Sequence, residues 1–169
     1  CMRKIIATNS LDVANKYGSN WTYFLISEDK RFIKIGSTIQ PLRKRIIGVN
    51  NELNYRDLNF SFYLAVRGIM HEELFHEYFK QYRACFRWTE KDGSYSYLTN
   101  KESWKRSLKN TPIKGEHTRK LRTFWYFNSS AMHTRLELFK FPPRKVLPKL
   151  ESIVLEVIES QGYEISFKE

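Results

Sequence analysis

Four short stretches carry side chains that do chemistry. Trp21-Thr22-Tyr23-Phe24-Leu25-Ile26 and Phe32-Ile33-Lys34-Ile35-Gly36-Ser37-Thr38 are followed at once by Pro41-Leu42-Arg43-Lys44-Arg45-Ile46, and later by His71-Glu72-Glu73-Leu74-Phe75-His76. Tyr23, Lys34, Arg45, Glu72 and His76 offer a phenol, an ammonium, a guanidinium, a carboxylate and an imidazole. Hydrolysing a phosphodiester needs a nucleophile, charge neutralisation on the phosphate and help for the departing oxygen. Arginine presents a planar fork of N–H groups that pairs with phosphate oxygens, which lysine does not. A single carboxylate can hold a hard divalent cation that neutralises the phosphate. The spacing permits this chemistry; it does not require it.

Each of these residues also has a structural reading. Tyr23 in an aromatic run is equally a core tyrosine, and Lys34 alternates with apolar residues as the solvent-facing position of an edge strand does. Arg45 suits a stem packed on the core with a surface ion pair. Glu72, beside Glu73, reads as an exposed helix glutamate, and His76 as a structural histidine. Ser37 and Thr38 suit either phosphate donors or caps of the following helix.

The elements that must position them follow from patterning. Trp21 to Ile26 is an aromatic and β-branched run that reads as a buried strand, and Phe32 to Gly36 reads as its partner across the polar turn Ser27-Glu28-Asp29-Lys30. Pro41 opens a helix with Leu42, Ile46 and Val49 on one face, Arg45 at the border of that face, and Arg43 and Lys44 toward solvent or a ligand. Leu58 to Val66 reads as a third strand. Met70 to Tyr82 reads as a helix whose apolar stripe is Met70, Leu74, Phe75, Tyr78 and Tyr82, with Glu72, His76 and Phe79 along one edge. Residues 1–19 read as an irregular or short helical lead-in. Arg119 to Phe127 reads as a strand, and Met132 to Phe141 stays open between helix and strand. Pro142-Pro143 breaks what precedes it. Leu147 to Gln161 is an amphipathic helix stopped by Gly162, and Tyr163, Ile165 and Phe167 alternate as a closing strand.

The hairpin, the arginine nine residues after Gly36 and the glutamate helix together resemble the core of the GIY-YIG nuclease superfamily over roughly residues 20–82. Tyr23 stands where that family has its first-strand tyrosine. Lys34-Ile35-Gly36 stands where its second triplet belongs, in the pattern of the branch with lysine there, which includes small restriction endonucleases and phage-encoded domains. Trp21-Thr22 replaces the glycine-isoleucine before the first tyrosine, and Val49 takes the place of the His or Tyr one turn after the arginine. The resemblance implies that Glu72 binds one Mg²⁺ or Mn²⁺ per active site and that Arg45 pairs with a phosphate oxygen. It implies that Tyr23, next to Lys34 and the metal, takes a proton from water. His76 lies one turn from Glu72, within reach of the phosphate or metal by spacing alone.

Charge points to the same class of partner. Lys and Arg exceed Asp and Glu by 29 to 18, a net +11. From Lys101 to Val146 there are twelve Lys/Arg and three Asp/Glu, a net +9, interleaved with Trp104, Phe124, Trp125, Tyr126, Phe127, Phe139 and Phe141. A basic, aromatic surface grips phosphates and stacks bases; the plainer reading is a solvated face over an aromatic core. The candidate contacts to double-stranded DNA are Arg43, Lys105, Arg106, Lys109, Lys114, Arg119, Lys120, Arg122 and Arg135.

Composition excludes several classes. At 41% hydrophobic with 7 Gly and 5 Pro, 169 residues bury a core, which rules out a disordered or collagen-like chain. No run reaches the length of apolar residues that a membrane span needs. Two cysteines, Cys1 and Cys85, make neither a disulfide framework nor a four-cysteine zinc site. Cys1 before Met2 reads as a processing remnant, and without a signal-like N-terminus a reducing, intracellular setting is expected. The expected architecture is α+β: a small antiparallel sheet flanked by helices. Its parts are a lead-in over 1–19, a GIY-YIG-like catalytic core over 20–100, and a basic recognition and sheet-closing extension over 101–169. The expected activity is a metal-dependent DNA endonuclease, best a sequence-specific restriction enzyme acting as a homodimer. The alternatives are a non-catalytic nucleic-acid-binding protein and a nicking nuclease of phage or repair origin.

Overall fold

The computed structural model describes residues 3–52, 55, 58–83, 86–89, 95–98, 124–127, 130–134 and 137–169. The chain is α+β and separates into two compact units, residues 1–80 with 141–169, and residues 81–140. These limits differ from the composition boundaries at residues 19 and 100.

In the first unit a mostly antiparallel sheet runs in the order β10-β1-β4-β2-β3, with β1 Arg3–Thr8, β2 Trp21–Ile26, β3 Ile33–Thr38, β4 Ser61–Arg67 and β10 Tyr163–Lys168. Its helices are α1 Leu11–Lys16, α2 Leu42–Asn51, α3 Glu72–Tyr78 and α4 Leu150–Ser160. The lead-in is therefore a strand and a capped helix. Arg3–Thr8 alternates too weakly to announce a strand, and it is held by β10 in parallel and β4 in antiparallel. The expectation of a wholly antiparallel sheet is corrected by that β1–β10 pair.

The central strand β2 lies between β3 and β4 and is buried at every position. That explains its unbroken apolar run: a strand covered on both faces has no polar side. Its two ladder partners register Tyr23 opposite Gly36 and Ala65. The β2–β3 turn is wired by side chains. The Ser27 hydroxyl donates to Asp29 Oδ1 (2.6 Å) and accepts from the Phe32 amide (3.0 Å), while the Arg31 amide also donates to Asp29 Oδ1 (3.0 Å). Burial pushes the Asp29 carboxyl up, but the Ser27 and Arg31 bonds outweigh it and hold the group below its usual value.

Helix α2 buries Leu42 and Val49 as its spacing predicts, with Arg45 and Ile46 half-buried and Arg43 and Lys44 exposed. Helix α3 departs from expectation. It is shorter than Met70–Tyr82, with a 3₁₀ turn following at Lys80–Tyr82, and its buried line is His71, Phe75 and Phe79. Met70 and Tyr78, expected in the stripe, are 66% and 55% exposed. Met70 and Tyr78 each lie one residue before a member of that line, about 100° round the helix from it. Phe75 meets Phe24 edge-on at 5.0 Å, and Phe79 meets Phe141 at 4.9 Å. Helix α4 buries Leu150, Val154, Val157 and Ile158 and ends before Gly162, whose φ of +89° makes the turn into β10. Each such apolar side chain contributes about 1.5–3 kcal/mol by burial.

The second unit holds an antiparallel sheet in the order β6-β5-β8-β7, from β5 Phe86–Thr89, β6 Tyr95–Leu98, β7 Phe124–Phe127 and β8 Ser130–Thr134. A short strand β9, Leu138–Phe139, follows. The stretch left open between helix and strand is thus extended at both ends. The described part of the strand expected over Arg119–Phe127 is β7. No helix among the described residues is long and apolar enough to cross a membrane.

Candidate active site

Tyr23 is the centre of the site. Its phenol oxygen accepts from Lys34 Nζ at 3.1 Å and from Arg45 Nε at 3.1 Å. Three elements converge here: β2 carries the tyrosine, β3 the lysine and α2 the arginine. The pleat explains the first pairing. Tyr23 faces Gly36 across the ladder and Leu25 faces Lys34, so Tyr23, Lys34 and Gly36 share one face of the sheet. A Cβ on Gly36 would lie 2.6 Å from the phenol oxygen and 2.9 Å from Lys34 Nζ, so only glycine lets the ring lie across the strand.

Burial is extreme. Tyr23 is 0% and Lys34 1% exposed. Lys34 is therefore not the solvent-facing residue of an edge strand. Its ammonium lies 5.1 Å from the Tyr23 ring centre and 5.6 Å from that of Tyr55, distances at which aromatic faces attract a cation. Of the two donors on the phenol oxygen, Arg45 is the one that reaches water; its side chain is one-third exposed and its Nη2 lies 3.7 Å from Glu52 Oε1. The surface ion pair open from sequence thus exists, and the same guanidinium also serves the phenol. Two cationic N–H groups on one oxygen are the electrostatic complement of negative charge there.

Glu72 and His76 form a second group, brought to β3 by α3. Glu72 Oε2 accepts from the Ser37 hydroxyl at 2.5 Å, and its Oε1 lies 3.7 Å from His76 Nε2. His76 Nε2 is 2.8 Å from the Ile35 carbonyl. A carbonyl only accepts, so that nitrogen carries the proton and fastens α3 to β3. Glu72 is half-buried, unlike the exposed Glu73. Strand alternation sends Ser37 and Ile35 to the face opposite Lys34 and Gly36. Tyr23, Lys34 and Arg45 therefore meet at one atom on one face of the sheet, while Ser37, Glu72 and His76 form a separate group on the other.

Thr38, one of the two hydroxyls open between phosphate and cap, accepts from the Gln40 amide at 2.9 Å and shapes the entry to α2. Ser37 is the site residue that sequence reasoning left undecided; its partner becomes visible only once α3 is docked. The role of Gly36 was legible as a motif letter, but not as a steric requirement. Among the described residues no group of three His, Cys, Asp or Glu gathers as a metal site. One carboxylate with a neighbouring hydroxyl is a hard oxygen set, which suits a cation that keeps its waters, as Mg²⁺ does. Of the expected DNA contacts, Arg43 is exposed on α2. Lys105, Arg106, Lys109, Lys114, Arg119, Lys120, Arg122 and Arg135 lie outside the described residues, as does Cys85. Comparison of the chain with family models, curated proteins and solved structures finds no match.

Proposed function

We propose that this chain is a metal-dependent DNA endonuclease of the GIY-YIG type that hydrolyses phosphodiester bonds, with a small sequence-specific restriction enzyme the best fit. The observation that carries the reading is the phenol oxygen of Tyr23 held at 3.1 Å by both Lys34 and Arg45. A buried tyrosine in a plain core needs one partner for its hydroxyl; two cations on one oxygen serve an anion that forms there.

In this reading the outer edge of Arg45 binds a non-bridging phosphate oxygen. The one-third-exposed guanidinium is what an incoming phosphate meets first. Tyr23 first gives up its own proton to solvent, with Lys34 balancing the phenolate charge, and the phenolate then takes the proton of the attacking water and returns to the neutral phenol. Glu72 would hold a divalent cation, Mg²⁺ or Mn²⁺, which when bound neutralises phosphate charge and eases the departure of the leaving oxygen. Ser37 orients the Glu72 carboxylate, and His76 fixes the helix that carries it. The net charge of +11 and the basic stretch Lys101–Val146 supply a grip on the duplex backbone. One site per chain cuts one strand, so cutting both calls for a homodimer on a two-fold site.

The burial of Tyr23 and Lys34 favours a second reading. There the three-way contact is a strut tying β2, β3 and α2 in a non-catalytic nucleic-acid-binding protein. Incubating supercoiled plasmid with the chain, with and without Mg²⁺, separates them. Discrete linear fragments mean restriction, open circles alone mean nicking, and retarded but intact DNA means binding only.

A further inference from the structure

We infer that Glu52 is an internal competitor for the phosphate that Arg45 binds, and so sets the affinity of the site for its substrate; this rests on the nuclease reading for what the substrate is, but not for the competition itself. Glu52 ends α2, seven residues after Arg45, with its amide bonded to the Val49 carbonyl. Its carboxylate lies 3.7 Å from Arg45 Nη2, and both side chains are about one-third exposed, at 38% and 33%. A guanidinium has two forks: a side-on pair, Nε with Nη2, and an end-on pair, Nη1 with Nη2. Tyr23 occupies Nε. A phosphate that leaves that bond intact must use the end-on pair, and Nη2 belongs to it. Glu52 stands on that same nitrogen. The Glu52 carboxylate and a phosphate are like charges drawn to the same nitrogen, so each weakens the other's hold on it.

The strength of the contact suits a placeholder. An ion pair this exposed is worth only about a two- to fivefold effect on affinity. It keeps the guanidinium turned toward the phenol in the free chain and gives way to a phosphodiester. A buried pair would not release it.

The test titrates dimethyl phosphate into the full chain labelled with ¹⁵N-arginine and follows the Arg45 Nε–H resonance, identified by its absence in Arg45→Lys. Glu52→Gln is expected to bind about threefold tighter than the wild type, and Glu52→Ala likewise. Equal or weaker binding in both variants overturns the inference. A 20-base-pair duplex in Mg²⁺ supplies the kinetic arm. Glu52→Gln is expected to lower KM by about the same factor while kcat stays within about twofold. A wild type that cuts nothing yet shows the dimethyl phosphate gain overturns the nuclease reading and leaves the role of Glu52 standing. A wild type that cuts, with no gain in the variants, overturns the role of Glu52 alone.

Discussion

Gly36 lies directly opposite Tyr23 in the β2–β3 ladder, and a methyl group added there would stand 2.6 Å from the phenol oxygen. The missing side chain of one residue is the space in which the hydroxyl of the other is held. The glycine thereby sets the position of the oxygen on which Lys34 and Arg45 converge.

Gly36→Ala tests that dependence. The methyl would also meet Lys34 Nζ at 2.9 Å, so both side chains must shift. Overpacking of this kind costs about 1–3 kcal/mol. Chain melting is expected to drop accordingly, and DNA cleavage to fall about 100-fold, since displacing a reacting group by about 1 Å has that effect. A folded variant with wild-type cleavage would show that the phenol position does not matter.

Tyr23→Phe removes the shared acceptor and keeps the ring. Lys34 and Arg45 each lose a bond, one of them deep in the core, and stability is expected to fall by about 1–3 kcal/mol. Loss of a general base lowers rates by about 10²- to 10⁴-fold, so cleavage is expected to vanish in a gel assay. Binding to duplex in Ca²⁺ is expected to stay within about twofold, because the phenol oxygen is buried beneath Arg45's reach to solvent. Loss of binding with intact folding would assign Tyr23 to recognition.

Much of this was legible in the sequence, for identifiable reasons. The β2–β3 hairpin announced itself through unbroken apolar runs around a polar turn, and α2 through Leu42 and Val49 on one face. The placing of Arg45 at the border of that face followed from helix geometry, and it is what lets one guanidinium serve the buried phenol and the wet Glu52. Strand β1 was hidden because its partner β10 lies at the other end of the chain, and non-local pairing leaves no local pattern. The stripe of α3 was misread because Met70, Leu74 and Tyr78 also recur at helical spacing, while the true line His71-Phe75-Phe79, one residue on, begins with a titratable residue. Ser37 and Glu72 are 35 residues apart and meet only through tertiary docking.

Glu72→Gln keeps an oxygen for the Ser37 hydroxyl and removes the charge. Cleavage is expected to fall about 100-fold, the scale for losing one group that stabilises transition-state charge. The Mg²⁺ concentration for half-maximal rate is expected to rise, as seen in a metal titration of initial rates. An unchanged metal titration would move the cation elsewhere.

His71 makes stability depend on pH. Burial holds its imidazole below the ordinary value of 6.5, against the pull of the Arg67 carbonyl that accepts from its Nε2 at 3.0 Å. The unfolded chain therefore takes up the proton first as pH falls. The contribution is full above about pH 6.5 and is lost downward until the folded imidazole also protonates. Urea midpoints are expected to drop between pH 7.5 and 5.5, and His71→Gln, which keeps an N–H for the carbonyl, is expected to flatten that slope. An equal slope in the variant would place the titration on another group.

The central claim is that the phenol held by Lys34 and Arg45 acts on a phosphodiester in a metal-dependent reaction. Supercoiled plasmid incubated with the wild type in Mg²⁺ or Mn²⁺ tests it most directly, with EDTA and Tyr23→Phe as parallel arms. The expected result is cutting by the wild type with metal, and intact plasmid in both other arms. Plasmid left intact by the wild type in either metal, or cut equally by Tyr23→Phe, would contradict it.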